Sequence, residues 1–293
     1  MGKAERAEEA EMAGEAEAAG REASDFDSPG SFLPIPPVPP FFLWIDETPR
    51  PGWANMAIDV TLLDRAEEYG ESWLRLYRWD PPCLSFGRHE PATRRYDVDR
   101  ILALRLGTVR RPTGGRAVWH GRELTYAIAA PCARFGSLQA AYLEIHTMLG
   151  SALKGLGAAA SLAPRTRISP LDAGACFSQP AGGEVMVSGR KVIGSAQLRH
   201  GAALLQHGSV LLEDAQHILL GLTRGGSAAP FAAPPTTLLN RPVGSSEVAD
   251  AIGAAAAARW RGAWQRVSEP ETILHAASGH FPQFKSPAWT WAR

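Results

Sequence analysis

A cysteine and a lysine stand fifteen residues apart in settings that suit reaction more than packing. Cys176 lies in Asp172-Ala173-Gly174-Ala175-Cys176-Phe177-Ser178, a run of small and polar residues that reads as a loop. Lys191 lies in Gly189-Arg190-Lys191-Val192-Ile193-Gly194-Ser195-Ala196-Gln197, where it alternates with apolar neighbours as a strand residue does. Such a lysine points to solvent, the commoner outcome, or into a cleft. Three small residues beside it, Gly194, Ser195 and Ala196, leave a groove rather than a filled core. Only four of the thirty basic residues are lysine, so this one is where ammonium chemistry would be sought. A thiol of pKa ~8.5 is only a few per cent thiolate at neutral pH, and a nearby ammonium raises that fraction. A lone cysteine is more often an inert buried thiol; the loop setting of Cys176 argues otherwise.

A second segment, Arg110-Arg111-Pro112-Thr113-Gly114-Gly115-Arg116-Ala117-Val118-Trp119-His120, places paired glycines between two strands and flanks them with arginine. Without Cβ atoms the backbone can approach a ligand closely, and guanidinium groups suit phosphate or carboxylate. The same glycines also fit a plain hairpin turn. His120 and His207 invite a triad with Cys176, yet no Asp or Asn stands where it would orient either ring, so a satisfied structural role competes. Cys83 and Cys132 follow prolines near strand ends and read as structural.

The elements that must carry these residues follow from periodicity and punctuation. Residues 1–40, an Ala/Glu run followed by a proline-rich stretch, read as a disordered tail. Residues 41–245 read as the main folded domain, with strands at Phe41–Ile45, Trp73–Tyr77, Ala117–His120, Glu123–Ala129, Glu184–Val187, Lys191–Gln197 and Ala203–Leu212. Helices are expected at Trp53–Tyr69, Arg100–Leu106 and Leu138–Leu156. Residues 246–293 read as a C-terminal helical segment, with helices over Glu247–Arg266 and Pro270–Ser278. The sum is an α+β fold, a mixed β-sheet core flanked by helices. Zero formal net charge gives no global field for nucleic acid. No apolar run approaches a membrane span, and nothing resembles a secretory signal, so a cytoplasmic location with reduced thiols is expected. No Cys/His spacing suits a metal.

Taken in order, the Arg-Arg-Pro-Thr-Gly-Gly-Arg-Ala-Val segment, Glu123-Leu124-Thr125-Tyr126, the Gly-Arg-Lys-Val-Ile-Gly-Ser-Ala-Gln segment and Gln206-His207-Gly208-Ser209 resemble the biotin/lipoate protein ligase superfamily. The resemblance covers about residues 41–222, and Trp289-Thr290-Trp291-Ala292-Arg293 is similar to the family's C-terminal signature. Ligases of the family usually read Gly-Gly-Gly-Ala-Val with an Asn after the following His, and an aromatic after Gly-Ser-Ala. Here Arg116 replaces the third glycine, Glu123-Leu124-Thr125-Tyr126 follows His120, and Gln197 follows Ala196. With Cys176-Phe177 upstream of the lysine motif, the chain looks closest to the cysteine-dependent octanoyltransferases that load glycine-cleavage H protein.

That resemblance implies a biotin/lipoate ligase-like catalytic domain acting in protein lipoylation. It implies transfer of octanoyl from acyl carrier protein to a lysine of a lipoyl-domain protein through a Cys176 thioester, with Lys191 as activating partner. Substrate binding would fall to Arg111, Gly114, Gly115, Arg116, His120, Gly194, Ser195, Ala196, Gln197 and His207, with an acyl tunnel near Leu84, Phe86 and Val118. Arg116 would meet the carrier's phosphopantetheine or only cap its loop. No metal, nucleotide or other cofactor is expected, because the donor acyl group is already activated, and a monomer is the simplest assembly. Two alternatives remain: an ATP- and Mg²⁺-dependent lipoate–protein ligase, and a non-catalytic lipoyl-domain binder.

Overall fold

The computed structural model describes residues 39–164, 182–226, 236–237 and 242–292. The expected tail and the segment bearing Cys176 lie outside the described residues. The apolar run Phe41–Ile45 forms β1, and Pro51 precedes helix α1, Gly52–Tyr69, which stops at Gly70 in the left-handed conformation (φ 68°). Then come β2 (Ser72–Tyr77), β3 (Cys83–Phe86), the short helices α2 (Ala92–Arg95) and α3 (Val98–Ala103), β4 (Gly107–Arg110), β5 (Val118–His120) and β6 (Glu123–Pro131). Helix α4, Leu138–Gly155, is capped by the Ser137 hydroxyl, which accepts from the Ala140 amide. The chain continues through β7 (Ala160–Leu162), β8 (Val185–Val187), β9 (Arg190–Lys191), β10 (Ile193–His200), β11 (Ala203–Leu211), β12 (Glu213–Asp214), α5 (Ile218–Leu222) and β13 (Thr236–Thr237). It closes with α6 (Ser245–Arg259), β14 (Trp264–Arg266), α7 (Glu271–Ala277), α8 (Phe281–Lys285) and α9 (Pro287–Thr290).

Six strands form a mixed sheet in the order β10-β11-β6-β2-β1-β14. The first four are antiparallel neighbours, whereas β1 runs parallel to both β2 and β14. Alternation assigns the faces. Leu74, Leu76, Tyr126 and Ile128 pack with Ile145 and Leu149 of α4 and Val248 and Ile252 of α6. Trp73, Tyr77, Ala127 and Ala129 pack with Met56, Ile58 and Leu62 of α1 and with Ile273 and Phe284 farther along. A smaller sheet, β4-β3-β5, gathers Leu84, Phe86, Ala117 and Trp119 into a third cluster.

Two expected elements divide. The helix expected over Glu247–Arg266 ends at Arg259, and Trp264–Arg266 instead extends the main sheet beside β1. Ring stacking explains the switch: Trp264 lies 4.8 Å from Phe41 and Trp260 5.5 Å from the same ring, contacts a continued helix would forfeit. The strand expected over Lys191–Gln197 divides at Val192, whose amide bonds Val185 while its carbonyl accepts from Leu211. Lys191 therefore belongs to the separate sheet β7-β8-β9, and only Ile193 onward joins the main sheet. Among the described residues no helix is long and apolar enough to cross a membrane.

Candidate active site

Between the α1 face of the main sheet and the β3–β5 sheet lies a cleft with about 390 Å³ of empty space, part of it open to solvent. Met56, Tyr77, Trp79 and Val118 give it apolar walls, and Arg111, Gly115, His120, Thr125, Gly194, Ser195, Ala196 and His207 also line it. Gly115 has φ 90°, which favours glycine, and its carbonyl would stand 1.9 Å from a Cβ on Gly87, so the two backbones meet because Gly87 has no side chain. Gly208 on β11 likewise leaves room for Ser195 Oγ, which would lie 2.6 Å from an added Cβ.

The two cleft histidines are each oriented by an acid, a feature that local sequence did not reveal. His207 Nδ1 lies 2.9 Å from Asp59 Oδ2 of α1, and its Nε2 lies 2.7 Å from Thr113 Oγ1. Asp59 also accepts from Tyr77 (2.7 Å) and from the fully buried Arg75 (3.0 Å), which Asp46 and Asn55 bind as well. His120 Nδ1 lies 2.5 Å from Glu123 Oε1, and its Nε2 lies 2.5 Å from Ser85 Oγ. Arg111 donates to that same hydroxyl at 2.6 Å. Glu123 accepts from Nδ1, and because burial favours the neutral ring, Nε2 is left to accept from Ser85. Burial pulls the His120 pKa down, against the opposing pull of Glu123. Trp79 stacks on this ring at 3.8 Å and donates to Thr125, which donates in turn to Glu123. Arg111 also donates to the carbonyls of Ser85, Gly114 and Arg116. The polar side chains of this wall are turned toward internal partners.

Across the sheet a different set gathers. Lys191 Nζ lies 2.6 Å from Glu184 Oε1, with both side chains nearly buried. His146 of α4 places Nδ1 2.8 Å from the Gly183 carbonyl and Nε2 2.8 Å from Ser195 Oγ. A carbonyl only accepts, so Nδ1 carries the proton and the Ser195 hydroxyl donates to Nε2. Tyr126 donates to Ser195 at 2.6 Å, Gln206 donates to Tyr126 at 2.9 Å, and Gln197 donates to Gln206 Oε1 and to the Leu138 carbonyl, each at 2.9 Å. Burial lowers the His146 pKa to about 4, with Lys191 adding a small push the same way.

Of the residues singled out from sequence, Arg111, Gly115, His120, Gly194, Ser195, Ala196 and His207 meet at the cleft. Gly114 and Arg116 flank it through their carbonyls, Gln197 anchors α4, and Lys191 sits on the neighbouring small sheet. Cys176 lies outside the described residues, so its distance from Lys191 is not part of this geometry. Of the expected tunnel residues Val118 lines the cleft, whereas Leu84 and Phe86 point the other way into the third cluster, because alternation along β3 turns only Cys83 and Ser85 toward the site side. Cys83 is buried, and burial with the Glu123 charge pushes its thiol pKa up, as suits a packing residue. Asp59, Glu123, His146 and Glu184 were not foreseen. The only sequence signal for His146 was its place on an apolar helical stripe with Tyr142, Leu149 and Leu153. Among the described residues no group of His, Cys, Asp and Glu could hold a metal ion.

A mixed sheet between helix layers, with a glycine loop and a small-residue hairpin around one cleft and a lysine-bearing strand on a neighbouring small sheet, defines an α+β domain of the ligase type. Residues 51–245 match the lipoyl protein ligase A/B catalytic domain, and the chain belongs to that family. Over 160 residues it is 42% identical to octanoyltransferase LipM of Carboxydothermus hydrogenoformans, a match covering 53% of this chain and 59% of that protein. Over 228 residues it is 38% identical to octanoyltransferase LipM of Symbiobacterium thermophilum, covering 72% of this chain and 83% of that protein. The match to the Carboxydothermus protein thus spans less than two thirds of its length. Lipoate-protein ligase A, in a crystal structure with bound ATP, shares the fold with a TM-score of 0.71 at 19% identity, over 86% of this chain and 98% of that one.

Proposed function

We propose that the protein is an octanoyltransferase that moves an octanoyl group from acyl carrier protein to a lysine of a lipoyl-domain protein such as glycine-cleavage H protein, working as a cytoplasmic monomer. The observation that carries this reading is the cleft wall: apolar surfaces of Met56, Tyr77, Trp79 and Val118 beside polar groups committed to internal partners. Such a wall favours an uncharged hydrocarbon chain over a ligand with charges of its own. The two LipM relatives, octanoyltransferases by name, support the same reaction.

In this reading the Cys176 thiolate attacks the donor thioester carbonyl, the carrier thiol departs, and an octanoyl thioester forms on the enzyme. The acceptor lysine, as free amine, then attacks that thioester; an amide forms, the amine gives up one proton to solvent, and the Cys176 thiolate leaves. Lys191 favours the thiolate and hydrogen-bonds the oxyanion of each tetrahedral intermediate. Arg116, beside the exposed Gly115, would meet the phosphate of the carrier's prosthetic arm. The donor thioester supplies the activation that a ligase takes from ATP.

The test is intact-mass measurement of the protein mixed with octanoyl-carrier protein in the absence of ATP. The expected result is one octanoyl adduct, absent in Cys176→Ala, followed by modification of the acceptor. Full-rate transfer by Cys176→Ala with dependence on ATP would replace this reading with a lipoate ligase. Complex formation without acceptor modification under either condition would make the protein a binder.

A further inference from the structure

A row of arginines leads away from the mouth of the cleft. Gly115 is exposed there, and two residues before it the Thr113 carbonyl accepts from the Arg88 amide at 2.7 Å. Arg88 therefore stands beside the glycine turn, exposed, with its guanidinium 5.6 Å from the Trp289 ring. The chain then turns, the Glu90 amide bonding the Gly87 carbonyl at 3.0 Å, and enters α2 with Arg94 and Arg95. Arg224 joins from a distant part of the chain. Its amide donates to the Arg95 carbonyl at 2.9 Å, and its guanidinium donates to the Thr93 carbonyl at 2.9 and 3.1 Å. These backbone bonds hold Arg88, Arg94 and Arg224, all exposed, on adjoining segments that begin at the cleft.

The acids of this stretch do not neutralise it. Glu90 is buried against Arg95 and Tyr96, Asp97 caps α3 by accepting from the Arg100 amide, and Asp99 lies farther along on α3. Among the described residues, ion pairs hold Arg65, Arg122 and Arg259 to carboxylates, whereas Arg88, Arg94 and Arg224 make none. Thirty basic residues balance thirty acidic ones over the whole chain, so this positive strip is local.

We propose that the strip Arg88–Arg94–Arg224 is the docking surface for the body of the acidic acyl carrier protein that delivers the octanoyl group. This rests on the acyl-transfer reading, in which the carrier's prosthetic arm enters the cleft past Gly115 and Arg116. The strip continues that path outward, so positive charge meets first an acidic protein surface and then the phosphate of its arm. The acceptor fits the strip less well, because it must present a lysine, itself a cation, which a row of guanidinium groups repels.

The test compares the wild type with the double variant Arg88→Glu/Arg94→Glu, using two donors: octanoyl-carrier protein, and octanoyl-pantetheine, which has the arm's thiol and no protein. The expected result is a KM for octanoyl-carrier protein raised at least about tenfold at low ionic strength, with acylation by octanoyl-pantetheine and the KM of the acceptor unchanged. Added salt should raise the wild-type KM for the carrier toward that of the variant. An unchanged KM for the carrier overturns the proposal, and so does a rise in the KM of the acceptor instead, which would give the strip to the other protein. Should the double variant also lose acylation by octanoyl-pantetheine, Arg88→Gln/Arg94→Gln takes its place, and an unchanged carrier KM there is equally decisive. Failure of the wild type to take octanoyl from either donor would remove the acyl-transfer reading. Fluorescence anisotropy of labelled carrier protein with wild type and variant still judges the surface in that case, equal binding counting against it.

Discussion

On the α1 side of the sheet, the two cleft histidines lean on carboxylates; on the α4 side, His146 leans on a backbone carbonyl. His207 and His120 face Asp59 and Glu123, and the same acids collect Arg75, Tyr77, Thr125 and Ser209. Among the described residues His146 bonds the Gly183 carbonyl and the Ser195 hydroxyl and lies against the Tyr142 ring, with the Lys191–Glu184 pair nearby. The first region is a scaffold of charges fixed on one another, rigid and costly to disturb. The second, in its described residues, sets an ion pair beside a chain of neutral hydrogen bonds.

The sharpest way to break this contrast is to remove one acid from the scaffold. Asp59→Ala leaves Arg75, Tyr77 and His207 short of an acceptor, and should cost about 3–5 kcal/mol of unfolding free energy in urea titration. Ser195→Ala removes only neutral hydrogen bonds, those with Tyr126 and His146, and should cost about 1–2 kcal/mol. Equal losses would erase the distinction between the two regions.

A smaller effect separates the regions by pH. His146 has a folded-state pKa near 4, below the ordinary value of 6.5, so between these values the unfolded chain binds more protons than the folded one. Its contribution is complete above pH 6.5 and is lost as pH falls toward 4, by about 3 kcal/mol in total. His120, also pulled down, acts in the same direction. Denaturation at pH 7 and pH 4.5 should therefore show a drop in wild type that His146→Gln reduces and does not abolish.

The smallest effect concerns the cleft itself. Tyr77 is held by Asp59, and Trp79 is held by Thr125 and stacked on His120, whereas Met56 is a buried, flexible wall without a hydrogen bond to fix it. Met56→Ala should favour longer acyl donors and Met56→Phe shorter ones, each by several-fold in kcat/KM measured across a donor series. An unchanged ranking would place the chain elsewhere than against Met56.

What could be read from sequence was what is local. The glycine pair, the small residues after Lys191 and the returning hairpin announce themselves by punctuation and alternation, and β10 pairs with β11 as that pattern requires. The change of sheet at Val192 left no trace, because alternation marks a strand and not its neighbour. Asp59 could not be linked to His207 across 148 positions, and Glu184 and His146 sat in segments whose patterns spoke only of strand and helix. Strand β14 was concealed by alanine-rich sequence before it, where stacking on Phe41 outweighs helix propensity.

Arg110 carries a consequence that reaches from one end of the fold to the other. Fully enclosed, it donates to the carbonyls of Trp289, Thr290 and Ala292 and to that of Gly87, while the Trp289 indole donates back to its own carbonyl. Gly87 in turn abuts Gly115 at the cleft. The residues around Trp289 thus act as a latch on the glycine loop, and a bulky fusion or protease cut that unseats them will loosen the mouth of the cleft from more than a hundred and fifty positions away along the chain.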